Sequence, residues 1–519
     1  MILQAKPTVS QAAATAKATV GIIGGGLAGI AAGCALAQAG FKVTLFERKP
    51  FLGGRASSYE HPGTGEVVDN CQHVLLGCCT NLLDLYQRLG VQDQIRWYDQ
   101  LTFIEPGGRR GIMAPGDLPA PLHALPAFFK FPLLSLTEKL RIAAAMLSLL
   151  ESVPADDGGS FLAWLKHNGQ TPRTLARFWS PVLVSALNEE LAGVSIHYGA
   201  MVFRDAFLKS AQGGRMGVPS VPLSQLYGVA AGYIRERGGQ VLLRTPVESL
   251  GANGRRAWIT LSEQAVNHSG EPEGNGSAAI DAADNAPGSA VREFDYVIAA
   301  VPFHALGSLM PQAMQSDALR ENLSRLRSSP ITGIHLWFDR QVTELDHAVL
   351  LERTIQWMFH KSKILRRHPA AALQPGGAAV DGGETPSYLE LVVSSSRTLV
   401  NKTRQEVLDL ALRELAEFIP AVSSARLLKA TVIKEINATF APAPGADRYR
   451  PKQAGPWQRL FISGDWTATG WPATMEGAVR AGYAAAEALT AACGERQRFL
   501  VPDLAPRGFM QLFERRARE

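Results

Sequence analysis

Apolar positions along this chain fall into three patterns. Residues 20–23 (VGII), 41–46 (FKVTLF), 295–302 (DYVIAAVP) and 460–462 (LFI) are short, nearly continuous apolar blocks, which read as buried strands. Residues 240–243, 245–250, 331–338 and 388–393 alternate or run apolar and predict further strands, the last two in a second sheet that floors a cavity. Helical spacing is clearest in 80–89 (TNLLDLYQRL), where Leu82, Leu85, Tyr86 and Leu89 share a stripe, Thr80 is placed to cap the start and Gly90 to stop the end. The Ala-rich run 30–39 and the stretch 161–191, which carries Trp164, Phe178 and Trp179, are also helical, and 507–519 (RGFMQLFERRARE) sets Phe509, Leu512 and Phe513 beside Arg515, Arg516 and Arg518 as a short basic amphipathic helix. Residues 264–290 and 373–386 have little to bury and predict loops.

The first strand, turn and helix carry chemistry. After 20–23 comes Gly24-Gly25-Gly26-Leu27-Ala28-Gly29, a G-x-G-x-x-G turn: Gly24 permits the bend, Gly26 leaves no Cβ in the path of a pyrophosphate, and Gly29 lets the helix sit close to the strand. The helix N-terminus then offers free N–H groups and the positive end of its dipole. The second strand ends in Glu47, 18 residues past Gly29, where an acid accepts ribose hydroxyls and would repel a 2′-phosphate. Strand, fingerprint, helix, strand and acid in this order form a βαβ dinucleotide unit.

Composition narrows the class. At 519 residues the chain exceeds the length at which one core stops growing, so two domains are expected, and 46% hydrophobic with 19% charged residues is ordinary for a globular protein. A net charge of +5 without a dense basic stripe argues against nucleic acid, though it suits an anionic membrane surface. The five cysteines have no zinc spacing and read as reduced cytoplasmic thiols; residues 1–19 lack the apolar core of a secretory signal and read as a disordered tail. The most apolar stretch, 131–150, is interrupted by Glu138, Lys139 and Arg141 and does not span a bilayer; residues 112–150 are either a buried helical cap or a lipid entrance.

Past Glu47, Arg48 leads into Gly53-Gly54-Arg55, with Arg55 free to face phosphate or flavin. This order resembles the flavin-dependent amine oxidase and carotenoid desaturase superfamily, which implies FAD rather than NAD and an α/β fold: a Rossmann-type, glutathione-reductase-like FAD domain with a second, α+β substrate domain. On that division residues 20–110, 225–305 and 445–493 form the FAD domain, 111–224 and 306–444 the substrate domain, and 494–519 a tail. Residues 67–77 (VVDNCQHVLLG) and 214–226 (GRMGVPSVPLSQL) resemble most closely the squalene-associated group now known as hydroxysqualene dehydroxylases, with Cys71 where the wider family has Gly. The resemblance implies that Val247 contacts the adenine through its backbone. Near the end, Gly464-Asp465 after a strand and Ala473-Thr474-Met475-Glu476 before an Ala-rich helix resemble the family's C-terminal FAD motif, Asp465 bonding the ribityl or pyrophosphate end and the Thr474 and Met475 N–H groups facing the flavin N1–C2=O.

The activity this resemblance implies is reductive dehydroxylation of hydroxysqualene to squalene for hopanoid synthesis, with a reductant for FAD as partner, on the inner face of the cytoplasmic membrane. An acid must serve the leaving hydroxyl; Glu476, His73 and Asp205 are the expected sources, Glu476 alternatively bracing the flavin motif and His73 with Gln72 alternatively forming a buried pair. Asn188 and Glu189 are core caps or pocket polars. A carotenoid desaturase running hydride the other way and a non-catalytic prenyl-lipid escort are the other readings. No metal site is expected.

Overall fold

The computed structural model describes residues 17–61, 65–262, 290–365 and 386–516. The expected loops at 264–290 and 373–386 apart from their last residues, most of the N-terminal tail and the side chains of Arg515, Arg516 and Arg518 lie outside the described residues.

Buried strands pair as their apolar blocks demand. Thr19–Ile23, Lys42–Phe46, Gln240–Leu242, Tyr296–Ala299 and Leu460–Ile462 form one parallel sheet; numbered along the chain, their spatial order is 3-2-1-4-5. This is the doubly wound arrangement, whose ligand site lies at the carboxyl ends of the strands. The helix Leu27–Gln38 is covered by Met475–Ala492, and the two approach so closely that a Cβ on Gly482 would stand 2.3 Å from the Ala28 carbonyl oxygen. The alanines and glycines of 28–35 are what this contact requires.

The second domain is a seven-stranded mixed sheet, in the order Leu427–Phe440, Ser328–Phe338, Ser387–Ser394, Trp357–His360, His347–Leu350, Leu101–Ile104, Arg110–Met113. The chain therefore enters this sheet at Leu101, ahead of the boundary at 110 drawn from sequence, because Leu101–Ile104 lies parallel to His347–Leu350 rather than against the first domain. Helices fill one side: Leu125–Lys130, Leu136–Leu147, Phe161–His167, Ser180–Leu187 and Ile196–Val202. Two of them are joined to π-helical turns, Leu175–Trp179 and Phe203–Leu208, the kind of irregularity that clusters at functional sites.

Thr80–Leu89 is the amphipathic helix expected, with Gly90 left-handed at its end. Its start differs. Thr80 does not cap it; Cys79 holds the cap position with no side-chain bond, and the free N–H groups of Asn81 and Leu82 are met instead by the Glu476 carboxylate, from the other end of the chain. Among the described residues no helix is long and apolar enough to cross a membrane.

Candidate active site

One cavity of about 800 Å³ runs between the two domains. Its walls include Gly24, Gly26, Leu27, Ala28, Glu47, Arg48, Gly54, Arg55, Val247, Gly464, Asp465, Ala473, Thr474 and Met475, so the structure brings together every expected cofactor-binding position but Gly29. Gly29 serves the turn from behind: a Cβ there would lie 1.9 Å from the Gly24 carbonyl oxygen. Gly24 has φ +103° and its Cβ would meet the Ala300 carbonyl oxygen at 2.4 Å. Gly26 is different, since a Cβ on it would meet only the Gly54 Cα, at 3.8 Å, and would otherwise project into open space. Two glycines make the turn possible, and the third keeps a cradle empty.

The cradle fits FAD. Glu47 is buried at the end of the second strand, its two oxygens accepting from Gly25 N–H at 2.7 Å and Lys49 N–H at 2.8 Å, which fixes the carboxylate at the cavity wall. Arg48, Lys49 and Arg55 place positive charge at the same end. Arg55 does not stand free: it donates to Asp465 Oδ1 and to the Ala438 carbonyl, both at 2.8 Å, tying the Gly-Gly-Arg loop to the C-terminal motif. Thr474 caps the closing helix by accepting from Gly477 N–H at 3.0 Å. That leaves the Met475 end of an 18-residue helix at the cavity, its first N–H groups without intrahelical acceptors.

Beyond this polar end the walls become apolar: Phe103, Val182, Val202, Phe207, Met216, Trp357 and Phe359. Trp357 and Phe359 stack at 5.5 Å, and the indole N–H of Trp357 donates to Ser185 Oγ at 2.5 Å. Asn188, in a left-handed conformation, crosslinks the wall, donating to Ser329 O and Thr439 Oγ1 and accepting from Ser395 N–H. It is a pocket polar, whereas Glu189 pairs with Arg397.

The three expected acids separate. Glu476 is fully buried, away from the cavity wall, its oxygens taken by Asn81, Leu82 and Arg480; it is the brace of the Thr80 helix and not an acid facing the cavity. Asp205 is likewise absent from the wall and is paired with Lys209 at 2.7 Å; burial raises its pKa, but it faces no reacting space. His73 does line the cavity. Its Nδ1–H donates to the Cys71 carbonyl at 2.7 Å, which leaves Nε2 as an acceptor, and burial lowers its pKa. Its neighbours Cys71 and Val74 pack with Met216, Phe359 and Val392, placing His73 at the apolar chamber.

Sequence reasoning missed Glu435 and His304, which also line the cavity. Both sit in the field of Arg55, and Glu435 lies 3.5 Å from Asn70 Nδ2. No motif marked them, because each reaches the wall from a strand or helix whose neighbours are unremarkable. The remaining ionisable wall groups, Glu47, Arg48, Lys49, Arg55 and Asp465, belong to the cofactor end. Beside Met216 and Phe359 the ionisable wall groups are His73 and Cys71; burial pushes the Cys71 thiol well up, which leaves His73 to exchange a proton near neutral pH.

Solved structures confirm the architecture. An oxidoreductase from Methanosarcina mazei superimposes with a TM-score of 0.64 at 16% identity, over 89% of this chain and 98% of its own. A putrescine oxidase bound to putrescine gives 0.63 at 15% identity, over 92% and 99%. In sequence, the 15-cis-phytoene desaturase of Synechococcus elongatus is 27% identical over 499 residues, 92% of this chain and 97% of that protein. A probable zeta-carotene desaturase from the same organism is 25% identical over 495 residues, 91% and 98%. The family described as flavin containing amine oxidoreductase matches residues 27–490, so this chain, with its Gly24–Gly29 turn and its Gly464–Met475 closure at one cavity, belongs to that FAD-dependent oxidoreductase family.

Proposed function

We propose that the protein acts on an isoprenoid lipid, replacing the allylic hydroxyl of hydroxysqualene with hydrogen to give squalene. The observation that carries the lipid substrate is the chamber: it is continuous with the FAD end and walled chiefly by aromatic and aliphatic side chains, with His73 and Cys71 among them. An amine substrate would need polar partners there. The desaturase relatives support an isoprenoid, and the Asp69–Gly77 and 214–226 segments favour dehydroxylation over desaturation.

In this reaction a carbon–oxygen bond breaks, a carbon–hydrogen bond forms, and the oxygen leaves as water with one added proton. FAD, when bound and reduced, supplies the hydride. The chain's own part is to exclude water, orient the chain of the substrate against Trp357 and Phe359, and handle the proton at His73 Nε2. Desaturation would use the same nitrogen in the opposite sense, as a base.

The two directions separate experimentally. Reduced protein mixed anaerobically with hydroxysqualene should reoxidise its flavin and form squalene, with a rate that rises as pH falls, because protonated His73 is the donor and burial makes it scarce near neutrality. Bleaching of the oxidised protein by phytoene, with a rate that falls in acid, would replace dehydroxylation with desaturation.

A lipid bilayer is the proposed source of this substrate. Leu136, Leu140 and Leu147 are 63%, 53% and 64% exposed on one helix, while its other face, with Ile142 and Ala145, is buried. Phe129 and Leu122 stand exposed beside it, and the C-terminal helix docks alongside, Phe509 N–H donating to the Ala120 carbonyl, with Phe509 and Leu512 exposed. Exposed Lys130, next to Phe129, and Arg507, two residues before Phe509, add positive charge beside this apolar face, as an interfacial surface on anionic lipid requires. Replacing Leu136, Leu140 and Leu147 with Ser should abolish flotation with phosphatidylglycerol vesicles while flavin content stays normal; unchanged flotation would remove this face as the docking surface.

A further inference from the structure

Behind the Asn70–His73 wall lies a charged cluster that the proposed reaction does not use. Lys361, 1% exposed, donates to Asp69 Oδ2 and to Gln72 Oε1, both at 2.7 Å, and lies 3.5 Å from Glu390 Oε2. Asp69 is the better served carboxylate, since its Oδ1 also accepts from Ser58 Oγ at 2.6 Å and Leu223 N–H at 3.1 Å. Glu390 is fully buried on the inner strand Ser387–Ser394. Gln72 passes the contact forward, its amide N–H donating to the His73 carbonyl at 3.0 Å.

Two buried carboxylates face a single ammonium. Like charges in a dry site do not both stay ionised, and the proton goes to the partner with fewer donors. Here that partner is Glu390. The other groups around it are Cys71 and Tyr59 from the facing segments, Tyr388 on its own strand, and His335 on the neighbouring strand. Burial raises the pKa of Cys71, Tyr59 and Tyr388 and lowers that of His335 to about 3, so all four stay neutral around neutral pH and leave Glu390 as the group that changes. Burial, opposed by Lys361 and reinforced by Asp69, brings Glu390 to about 7.

We propose that Lys361 and Glu390 are positioning residues for the Asn70–His73 wall of the cavity: Lys361 holds Gln72 and thereby the His73 backbone, and a proton on Glu390 sets whether the cluster behind that wall is neutral or carries one negative charge. Negative charge there opposes electron uptake by the flavin. The proposal concerns the FAD site alone and does not depend on which lipid is the substrate.

The test is the flavin midpoint potential of the holoenzyme from pH 5.5 to 8.5, for wild type, Glu390→Gln and Lys361→Met. Wild type should fall more steeply with pH than Glu390→Gln between 6 and 8 and run parallel to it on either side. Lys361→Met should move the extra step upward by more than about one pH unit, because it removes the group that favours ionised Glu390. A wild-type profile with no extra step overturns the proposal whatever the variants do, and so does a step that survives Glu390→Gln unchanged.

Discussion

Gly26→Val separates a glycine kept for the ligand from one kept for the fold. In the structure, a Cβ at Gly26 has only the Gly54 Cα within 4 Å, at 3.8 Å, so the polypeptide tolerates a side chain there. What it fills is the cradle in front of the helix N-terminus, where the pyrophosphate of FAD belongs. Each charge-assisted hydrogen bond lost there is worth about 1.5–3 kcal/mol. Loss of one bond weakens binding about 10- to 100-fold and loss of two by the square of that, since 1.4 kcal/mol is tenfold. Gly29→Ala is the control, with its Cβ 1.9 Å from the Gly24 carbonyl oxygen; it must displace the turn itself and should lower the yield of folded protein. The assay is FAD titration of the deflavinated protein by fluorescence quenching, with thermal melting of the same apoprotein. Gly26→Val should melt like wild-type apoprotein yet bind FAD at least about 10-fold more weakly. Full flavin loading of Gly26→Val, or an apoprotein that melts much earlier than wild type, would refute the division of roles between these glycines.

Glu476→Gln should lower stability by about 2–3 kcal/mol in urea unfolding, because a buried charge that Arg480 and two helix N–H groups share is removed, while flavin reoxidation by substrate stays at the wild-type rate. Acid should destabilise the fold through buried histidines. Burial holds His335 at about 3 and His347 at about 4, against 6.5 when unfolded, so the unfolded chain binds more protons below pH 6.5 and stability falls from there toward pH 4. At pH 4 each contributes about 3 kcal/mol to that loss. His347→Gln should flatten this slope in urea midpoints measured from pH 7 to 4; an unchanged slope would exclude the residue.

The cofactor half of this site was legible in the sequence because it is built from contiguous turns. Gly24 to Glu47 and Gly464 to Met475 each carry their own geometry, and burial of the strands between them follows from their apolar blocks. The polar groups around the Asn70–His73 segment were not legible, since they meet across long separations: Lys361 and Asp69 stand 292 residues apart, and Glu435 approaches Asn70 across 365. Glu476 misled for the same reason. Its place beside a flavin motif suggested catalysis, while its partners, Asn81 and Leu82, lie 395 and 394 residues away and use it as a helix cap. The early crossing into the second sheet at Leu101 depends on pairing with His347–Leu350, which no local pattern announces.

What decides the direction of chemistry in such a cavity is where a proton can stand. At the polar end the Glu47 carboxylate is engaged with backbone amides and the Asp465 carboxylate with Arg55. The apolar end offers His73, and the carbonyl of Cys71 fixes its tautomer so that Nε2 carries no proton. A buried neutral imidazole is a ready acceptor at neutral pH and a strong donor when charged, because burial has lowered the pKa of its conjugate acid. Holding the same ring in the same place therefore serves either hydride direction, and the pH dependence of the rate distinguishes them where the shape of the chamber does not. His73→Gln keeps an acceptor and a donor but cannot carry a proton. It should leave FAD bound and slow reoxidation by hydroxysqualene by about 10²–10⁴-fold, the usual contribution of general acid catalysis. A variant as fast as wild type, with the same acid-rising profile, would show that the proton reaches the leaving oxygen without His73.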